Sequence, residues 1–168
     1  MASTSPARRP REPRAVVRGR NIHLNVMLLA NRSSGEIEEI CRSADLTHAQ
    51  YVALFVLCLS PDGAEGLPIG SVADGLLTRS SDTTRLVDRL ERAGLAERIP
   101  NPSDRRGVLV RATDKGRAAF AEVTPAVQAL HRRQWQHLDA DELDQLEVLL
   151  LKALWGEDLG ASRLVDRK

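Results

Sequence analysis

The sequence predicts a mainly α-helical protein that carries one small β-hairpin. The 168-residue chain has 42% hydrophobic residues but only 3% aromatic ones, a balance that suits helices packed on helices better than a β-sandwich. Most apolar residues recur at helical spacing. The segment over residues 95–112 instead contains two short β-prone runs, joined by a loop with two prolines.

The N-terminal part of the chain predicts a basic arm followed by a helix. Residues 1–18 are rich in Ser, Pro and Arg and lack apolar periodicity, which indicates disorder. Residues 1–20 contain six arginines and one acidic residue. A first helix is predicted from about Arg20 to Ser43. Its apolar stripe consists of Ile22, Val26, Leu29, Ser33, Ile37, Ile40 and Ala44.

The second helix has a clear start signal. Thr47 and Gln50 form a capping box, and Leu46 is placed to pack against Tyr51 across the helix start. This helix should end before Pro61.

Two shorter helices and the hairpin follow. Residues 69–77 predict a short helix, and residues 81–93 predict an amphipathic helix that Gly94 ends. Residues 95–99 and 108–112 predict two strands.

The C-terminal part predicts two more helices. Thr113 caps a long helix that begins at Asp114, and Pro125 should kink or interrupt it. The last helix begins with Asp139 as N-cap and Glu142 three residues later. Its apolar stripe, which requires a partner, consists of Leu143, Leu146, Leu149, Leu150, Ala153 and Leu154. The order of elements predicts a winged helix-turn-helix domain flanked by helices from both ends.

The helix over residues 81–93 carries a charged stripe opposite its apolar face. Residues three and four apart share a helix face, so three guanidinium groups line up. Short hydroxyl side chains near the helix start, with arginines further along, suit insertion into the major groove. The alternative is a solvated face in which Asp88 pairs with Arg92 and Arg85. The stripe consists of Asp82, Arg85, Arg89 and Arg92, with Ser81, Thr84 and Asp88 beside it.

The predicted hairpin has a basic tip made of Asp104, Arg105 and Arg106. An arginine at such a tip suits the narrow minor groove, where negative potential is concentrated. Asp104 is placed to hold Arg106 by charge-assisted hydrogen bonds. Helix and tip together favour a DNA-binding wing over a turn that is charged only for solubility.

Residues 86–120, LVDRLERAGLAERIPNPSDRRGVLVRATDKGRAAF, resemble the most characteristic segment of the MarR family of bacterial transcriptional regulators. The shared pattern is LVDRLE-x-x-G, a strand, D-x-R, a strand and Thr-x-x-Gly. Weaker similarity over LTHAQYVALFVL and LDADELDQLEVLLLKAL extends it to about residues 20–155. Two positions depart from the pattern, because Thr83 stands where the family is usually apolar and Ala112 replaces the usual leucine before Thr113.

The resemblance implies an obligate homodimer, most often a repressor, that binds double-stranded DNA at a palindromic operator. The implied organisation is a basic arm (1–18), an N-terminal dimerisation helix (19–45), a winged helix-turn-helix DNA-binding domain (46–113) and C-terminal dimerisation helices (114–168). Asp82 would be repelled by phosphates, so we expect it to pair with Arg85 or to accept from a cytosine amino group. The implied DNA-binding residues are Ser80, Ser81, Asp82, Thr84, Arg85 and Arg89 on the helix, with Asp104, Arg106 and, as a further phosphate contact, Arg105 on the wing.

Members of this family commonly release DNA when an anionic or phenolic small molecule, such as an aromatic acid, binds between the dimerisation helices and the DNA-binding domain, or when a cysteine is oxidised. A redox role for Cys41 or Cys58 is therefore an alternative, although a free cysteine is more often a small buried apolar residue. Each candidate ligand residue has a structural role as its alternative. The candidates are His23, Arg32, His48, Tyr51 and Trp135.

Other classes of protein find little support. The chain has no phosphate-binding glycine loop, no nucleophile elbow and no spaced metal ligands, so we expect neither an enzyme nor a bound cofactor. Its longest apolar run, Tyr51 to Leu59, is far shorter than the roughly 20 residues that span a bilayer, and we expect a cytoplasmic protein. A winged-helix module that binds protein instead of DNA remains a further alternative.

Overall fold

The computed structural model describes residues 13–76 and 80–156, and side chains within these ranges except those of residues 80, 81, 105 and 106. The described residues divide into two compact units, the first ending at residue 36 and the second beginning at residue 37. In the described ranges no helix is both long enough and apolar enough to cross a membrane.

Helix α1 (Arg14–Arg42) begins earlier than the sequence predicted. The carbonyl of Pro13 accepts hydrogen bonds from the backbone N–H groups of Val16 and Val17, which starts the helix. A proline at a helix start lacks only an N–H that would have no partner there, so the arginine-rich composition was a misleading signal. The prediction of a disordered arm is therefore wrong for residues 14–18, and residues 1–12 lie outside the described ranges.

Only the C-terminal end of α1 contributes to the hydrophobic core. Ile37 and Cys41 are buried there, and Ile40 packs against them. The predicted stripe residues of the first unit, Ile22, Val26 and Leu29, are exposed. The periodicity was read correctly as helical, but it does not mark a face that is covered within that unit.

Helix α2 (His48–Leu59) has the predicted capping box. The Thr47 side chain accepts from the Gln50 N–H at 3.2 Å, and the Gln50 side chain accepts from the Thr47 N–H at 2.9 Å. The helix ends before Pro61, as predicted. Leu46 and Tyr51 are both buried, and the expected contact between them across the helix start stays a prediction.

Helices α3 (Ile69–Leu76) and α4 (Ser80–Arg92) form the central pair of the second unit. Helix α4 ends as predicted at Gly94, whose φ of +70° is a left-handed conformation that glycine adopts without strain. The Leu95 N–H then donates to the Leu90 carbonyl at 2.8 Å. Leu77, the predicted last residue of the short helix, lies outside the described residues.

The sheet has three antiparallel strands in the order β1-β3-β2: β1 (Leu67–Pro68), β2 (Ala96–Asn101) and β3 (Asp104–Ala112). The hairpin is longer than predicted, because Asn101 pairs with Asp104 and the connection shrinks to Pro102 and Ser103. Asp104, Arg105 and Arg106 therefore belong to β3 and not to the loop. The sequence analysis missed β1, a two-residue strand.

Two helices complete the chain. Helix α5 (Asp114–Trp135) passes through Pro125 as one element, so the predicted interruption is not found. Its buried side chains, Phe120, Val123, Val127 and Leu130, belong to the core, and this packing compensates for the hydrogen bond that proline cannot make. Helix α6 (Ala140–Trp155) begins with the predicted capping box and has no buried residue.

Candidate nucleic-acid interface

Helix α4 turns one face to the core and the other to solvent. Leu86, Val87 and Leu90 are buried, and so is Thr83, the residue that stands where the family is usually apolar. These four positions share one side of the helix, which directs the opposite side outward. The outward positions that are exposed are Asp82, Thr84, Arg85, Arg89 and Arg92.

Arg85 and Arg89 are exposed, and within the described part of the chain neither forms an ion pair or a side-chain hydrogen bond. The expected pairing of Asp82 with Arg85 is therefore not observed. Asp82 instead lies in the first turn of α4, where a carboxylate is favoured by the partial positive charge of the helix N-terminus. Two guanidinium groups thus remain available for an external anion.

The alternative of a solvated face held by internal ion pairs is contradicted at Asp88. Its carboxylate accepts from the guanidinium of Arg98 on β2 at 2.8 Å. Arg92 donates through Nε to the backbone carbonyl of Asp88 at 3.1 Å, and not to the carboxylate. Arg98 also pairs with Glu91. One arginine of strand β2 therefore engages two carboxylates of α4, which leaves them unavailable to the arginines of that helix.

The turn of the wing is closely packed. The Ser103 N–H donates to the Asn101 side-chain oxygen at 2.9 Å, which shapes the two-residue connection. A Cβ on Gly107 would lie 3.1 Å from the Cβ of Asn101 and 3.2 Å from a carboxylate oxygen of Asp104, so a larger residue would crowd the turn. Asp104 is exposed. The backbone of Arg105 and Arg106 follows it along β3.

Arg98 and Gly107 are site residues that the sequence analysis missed. The signal for Arg98 was its opposite charge to Glu91, because Gly94 reverses the chain so that the two residues meet. The signal for Gly107 was its place directly after the paired arginines. Ser80 and Ser81 lie in the first turn of α4, and their side chains, like those of Arg105 and Arg106, are outside the described residues.

The two cysteines have the properties of core residues. Cys41 is fully buried, and burial together with the nearby Glu38 raises the pKa of its thiol to about 11. Burial also raises the pKa of the half-buried Cys58 thiol, against the opposing effect of Arg117. The thiolate is the form that reacts with oxidants, so both environments disfavour the redox alternative.

Of the candidate ligand residues, His48 borders a cavity. The cavity has a volume of about 230 Å³ and lies between α2, α3 and α4. Burial lowers the pKa of His48, against the opposing effect of Glu38, which accepts a hydrogen bond from the His48 backbone N–H at 2.8 Å. The other lining residues are Ala49, Val52, Leu76 and Leu86.

The remaining candidate ligand residues lie elsewhere. Tyr51 is buried and stacks on Phe120 at a ring distance of 5.6 Å, and Trp135 ends α5. In the first unit, His23 is exposed, and Arg32 pairs with Glu36 at 3.2 Å. The structure does not bring Tyr51 or Trp135 to the cavity that His48 borders.

The sequence and the fold are similar to those of known transcriptional regulators. A sequence profile of the MarR family matches residues 44–107. The multiple antibiotic resistance protein MarR of Escherichia coli strain K12 is 36% identical over 141 residues, which cover 81% of this chain and 90% of that protein.

Two solved structures are similar in fold. A mutant of the E. coli MarR protein in complex with operator DNA has a TM-score of 0.68 and 34% identity, and the match covers 81% of this chain and 92% of that one. CouR from Rhodococcus jostii RHA1, bound to p-coumaroyl-CoA, has a TM-score of 0.72 and 27% identity, with 80% of this chain and 92% of that one covered.

Proposed function

This chain belongs to the MarR family of transcriptional regulators, and we propose that it is a sequence-specific DNA-binding repressor that acts as a homodimer on an inverted-repeat operator. The observation that carries the proposal is the exposed face of α4, where Arg85 and Arg89 have no ion-pair partner among the described residues. Guanidinium groups so placed bind phosphates or guanine edges in the major groove. The E. coli relative solved with operator DNA supports this assignment.

The proposed dimer is supported by apolar side chains that remain exposed in each unit. In α1, Ile22 is 62% and Leu28 is 70% exposed, and in α6, Leu149 is 63% and Leu154 is 64% exposed. Exposed apolar groups in such number mark an interaction surface. We propose that residues 19–45 and 114–168 supply the dimer contacts, that residues 46–113 bind DNA, and that basic residues before α1 add phosphate contacts.

The proposed activity is DNA binding and not catalysis. Because the operator is in the bacterial cytoplasm, we propose that the protein acts there. Half-sites about one helical turn apart are expected, because two recognition helices related by a two-fold axis enter successive major grooves. A module that binds protein instead of DNA would not require a row of exposed arginines on α4 next to a basic wing, so this alternative leaves that feature unexplained.

Selection from a random-sequence duplex pool should enrich an inverted repeat, and sedimentation of the complex should show two 18.5-kDa chains per duplex. Arg106→Ala should weaken binding by about 1 to 3 kcal/mol without unfolding the dimer, because it removes a wing contact. Arg111→Ala, on the same strand as Arg106 but paired with Glu97 at 2.7 Å, is the control and should bind like wild type. Absence of any enriched sequence, or binding that does not respond to salt, would favour the protein-binding module.

We also propose that an aromatic carboxylate or phenol regulates DNA binding from the cavity beside His48. The cavity volume of about 230 Å³ suits a single ring with a small substituent, and its lining is apolar apart from His48. Leu86 lines the cavity and belongs to α4, so a ligand in the cavity contacts the buried face of α4, the helix that we propose to enter the major groove. CouR, solved with p-coumaroyl-CoA, is a ligand-binding relative.

Aromatic carboxylates should raise the melting temperature of the protein, because a ligand that binds only the folded state stabilises it. The affinity should increase as the pH falls below the usual histidine pKa of about 6.5, since the lowered pKa leaves His48 neutral at pH 7 and a carboxylate favours its charged form. His48→Ala should remove this pH dependence. An equal shift in the variant at every pH would place the ligand elsewhere.

A further inference from the structure

Arg98 on strand β2 joins the wing to the recognition helix. Its guanidinium donates to the carboxylate of Asp88 at 2.8 Å and to the carboxylate of Glu91. The Arg98 backbone N–H also donates to Glu91, at 3.0 Å. One residue therefore holds two acidic side chains of α4 by three hydrogen bonds.

The charges of α4 show why this contact matters. The helix contains three arginines, Arg85, Arg89 and Arg92, and three acids, so its own side chains have no net positive charge. Asp88 lies three residues after Arg85 and four residues before Arg92, the two spacings at which side chains of a helix meet. Without Arg98, its carboxylate would be free to capture one of these guanidinium groups.

In the structure, Asp88 pairs with Arg98 and not with an arginine of its own helix. The carboxylate of Asp88 is turned to β2, Arg92 donates to a backbone carbonyl, and Arg85 and Arg89 stay without an ion-pair partner among the described residues. Asp88 and Glu91 are thus neutralised by Arg98 on β2, and the guanidinium groups of Arg85 and Arg89 remain on the exposed side of α4.

We propose that Arg98 is a positioning residue for DNA binding: it neutralises and holds the Asp88 and Glu91 carboxylates, which keeps Asp88 from pairing with the guanidinium group of Arg85 and reduces the negative charge beside Arg89. This inference rests on the proposed DNA-binding function. It identifies the residue that keeps the α4 face able to bind DNA. It is distinct from a role in stability, because the side chains of Arg98 and Glu91 are each 30% exposed and that of Asp88 is 46% exposed, and ion pairs this accessible to water stabilise a fold little.

The test is a mutant cycle on operator affinity. Arg98→Met keeps a long apolar side chain and removes the charge, and it should weaken binding about 10- to 100-fold, as expected for the loss of one or two good DNA contacts. The salt dependence should fall, because fewer phosphates are then neutralised. The melting temperature should change little.

Removal of the two acids separates an electrostatic role from a structural one. The double variant Asp88→Asn and Glu91→Gln should bind at least as tightly as wild type, and adding Arg98→Met to it should change the affinity less than about threefold. If Arg98 were only a structural link, the double variant would bind weakly, and the triple variant would bind as weakly as Arg98→Met alone. Either result overturns the proposal, and the double variant gives an answer even if Arg98→Met fails to fold.

Arg111→Met is a matched control within the same sheet. Arg111 pairs with Glu97 on β2 at 2.7 Å and makes no described contact with α4, so its loss should change operator affinity less than about threefold. A wild-type protein that binds no duplex would refute the proposed function together with this role. A wild-type protein that binds, with an Arg98→Met variant that binds equally well, would refute the role of Arg98 alone.

Discussion

A variant that carries both Arg85→Ala and Arg89→Ala should bind its operator at least about 100-fold more weakly than wild type, since each base or phosphate contact contributes about 1 to 3 kcal/mol. Both side chains are exposed and have no ion-pair partner among the described residues, so their removal breaks no ion pair within the protein. The loss should therefore appear in binding and not in the melting temperature. Fluorescence anisotropy with a labelled operator measures it.

The salt dependence identifies what the two arginines contact. If both meet phosphates, each dimer loses four phosphate contacts, and the slope of log K against log salt should fall by about 3.6 in magnitude, because each neutralised phosphate contributes about 0.9. If one reads a guanine edge, the slope should fall less and discrimination between operator and scrambled DNA should decrease. Unchanged affinity, or a loss that accompanies a lower melting temperature, would remove the α4 face from the mechanism.

Local capping signals in the sequence correctly predicted the helix boundaries at which they occur. The capping boxes at Thr47 and Asp139 were confirmed because both partners of each box lie within four residues of one another. The same holds for Gly94, where a single residue ends the helix. The face of α4 could be predicted because helical spacing alone separates its buried and exposed residues.

Features that depend on distant residues were not predicted. The two-residue strand β1 has no local signal and exists because it pairs with β3. The wing turn was placed too late in the sequence, because the pairing of Asn101 with Asp104 extends the hairpin beyond its apolar runs. The capture of Asp88 by Arg98 was missed for the same reason, since helix spacing offered only Arg85 and Arg92 as partners.

Gly116, the glycine of the Thr-x-x-Gly pattern, should be among the least replaceable residues of the fold. It is buried in the first turns of α5, and a Cβ there would overlap the backbone carbonyl oxygen of Leu95 and lie 3.1 Å from a methyl group of Leu54. That same carbonyl accepts the Thr113 N–H at 3.1 Å, so it cannot move without weakening the start of α5. Gly116→Ala should lower the free energy of unfolding by about 3 kcal/mol, the upper part of the usual range for overpacking.

Gly35→Ala is the matched control, because the same substitution should have the opposite sign there. Gly35 lies inside α1, and a Cβ at that position meets nothing within 4 Å. Alanine should therefore add about 0.5 to 1 kcal/mol of stability through its higher helix propensity. Urea unfolding of the three proteins at one concentration measures both effects. Equal free energies of unfolding for Gly116→Ala and wild type would show that the backbone at Leu95, between α4 and β2, can move to admit a methyl group. The connection between α4 and the wing would then be adaptable and not rigid.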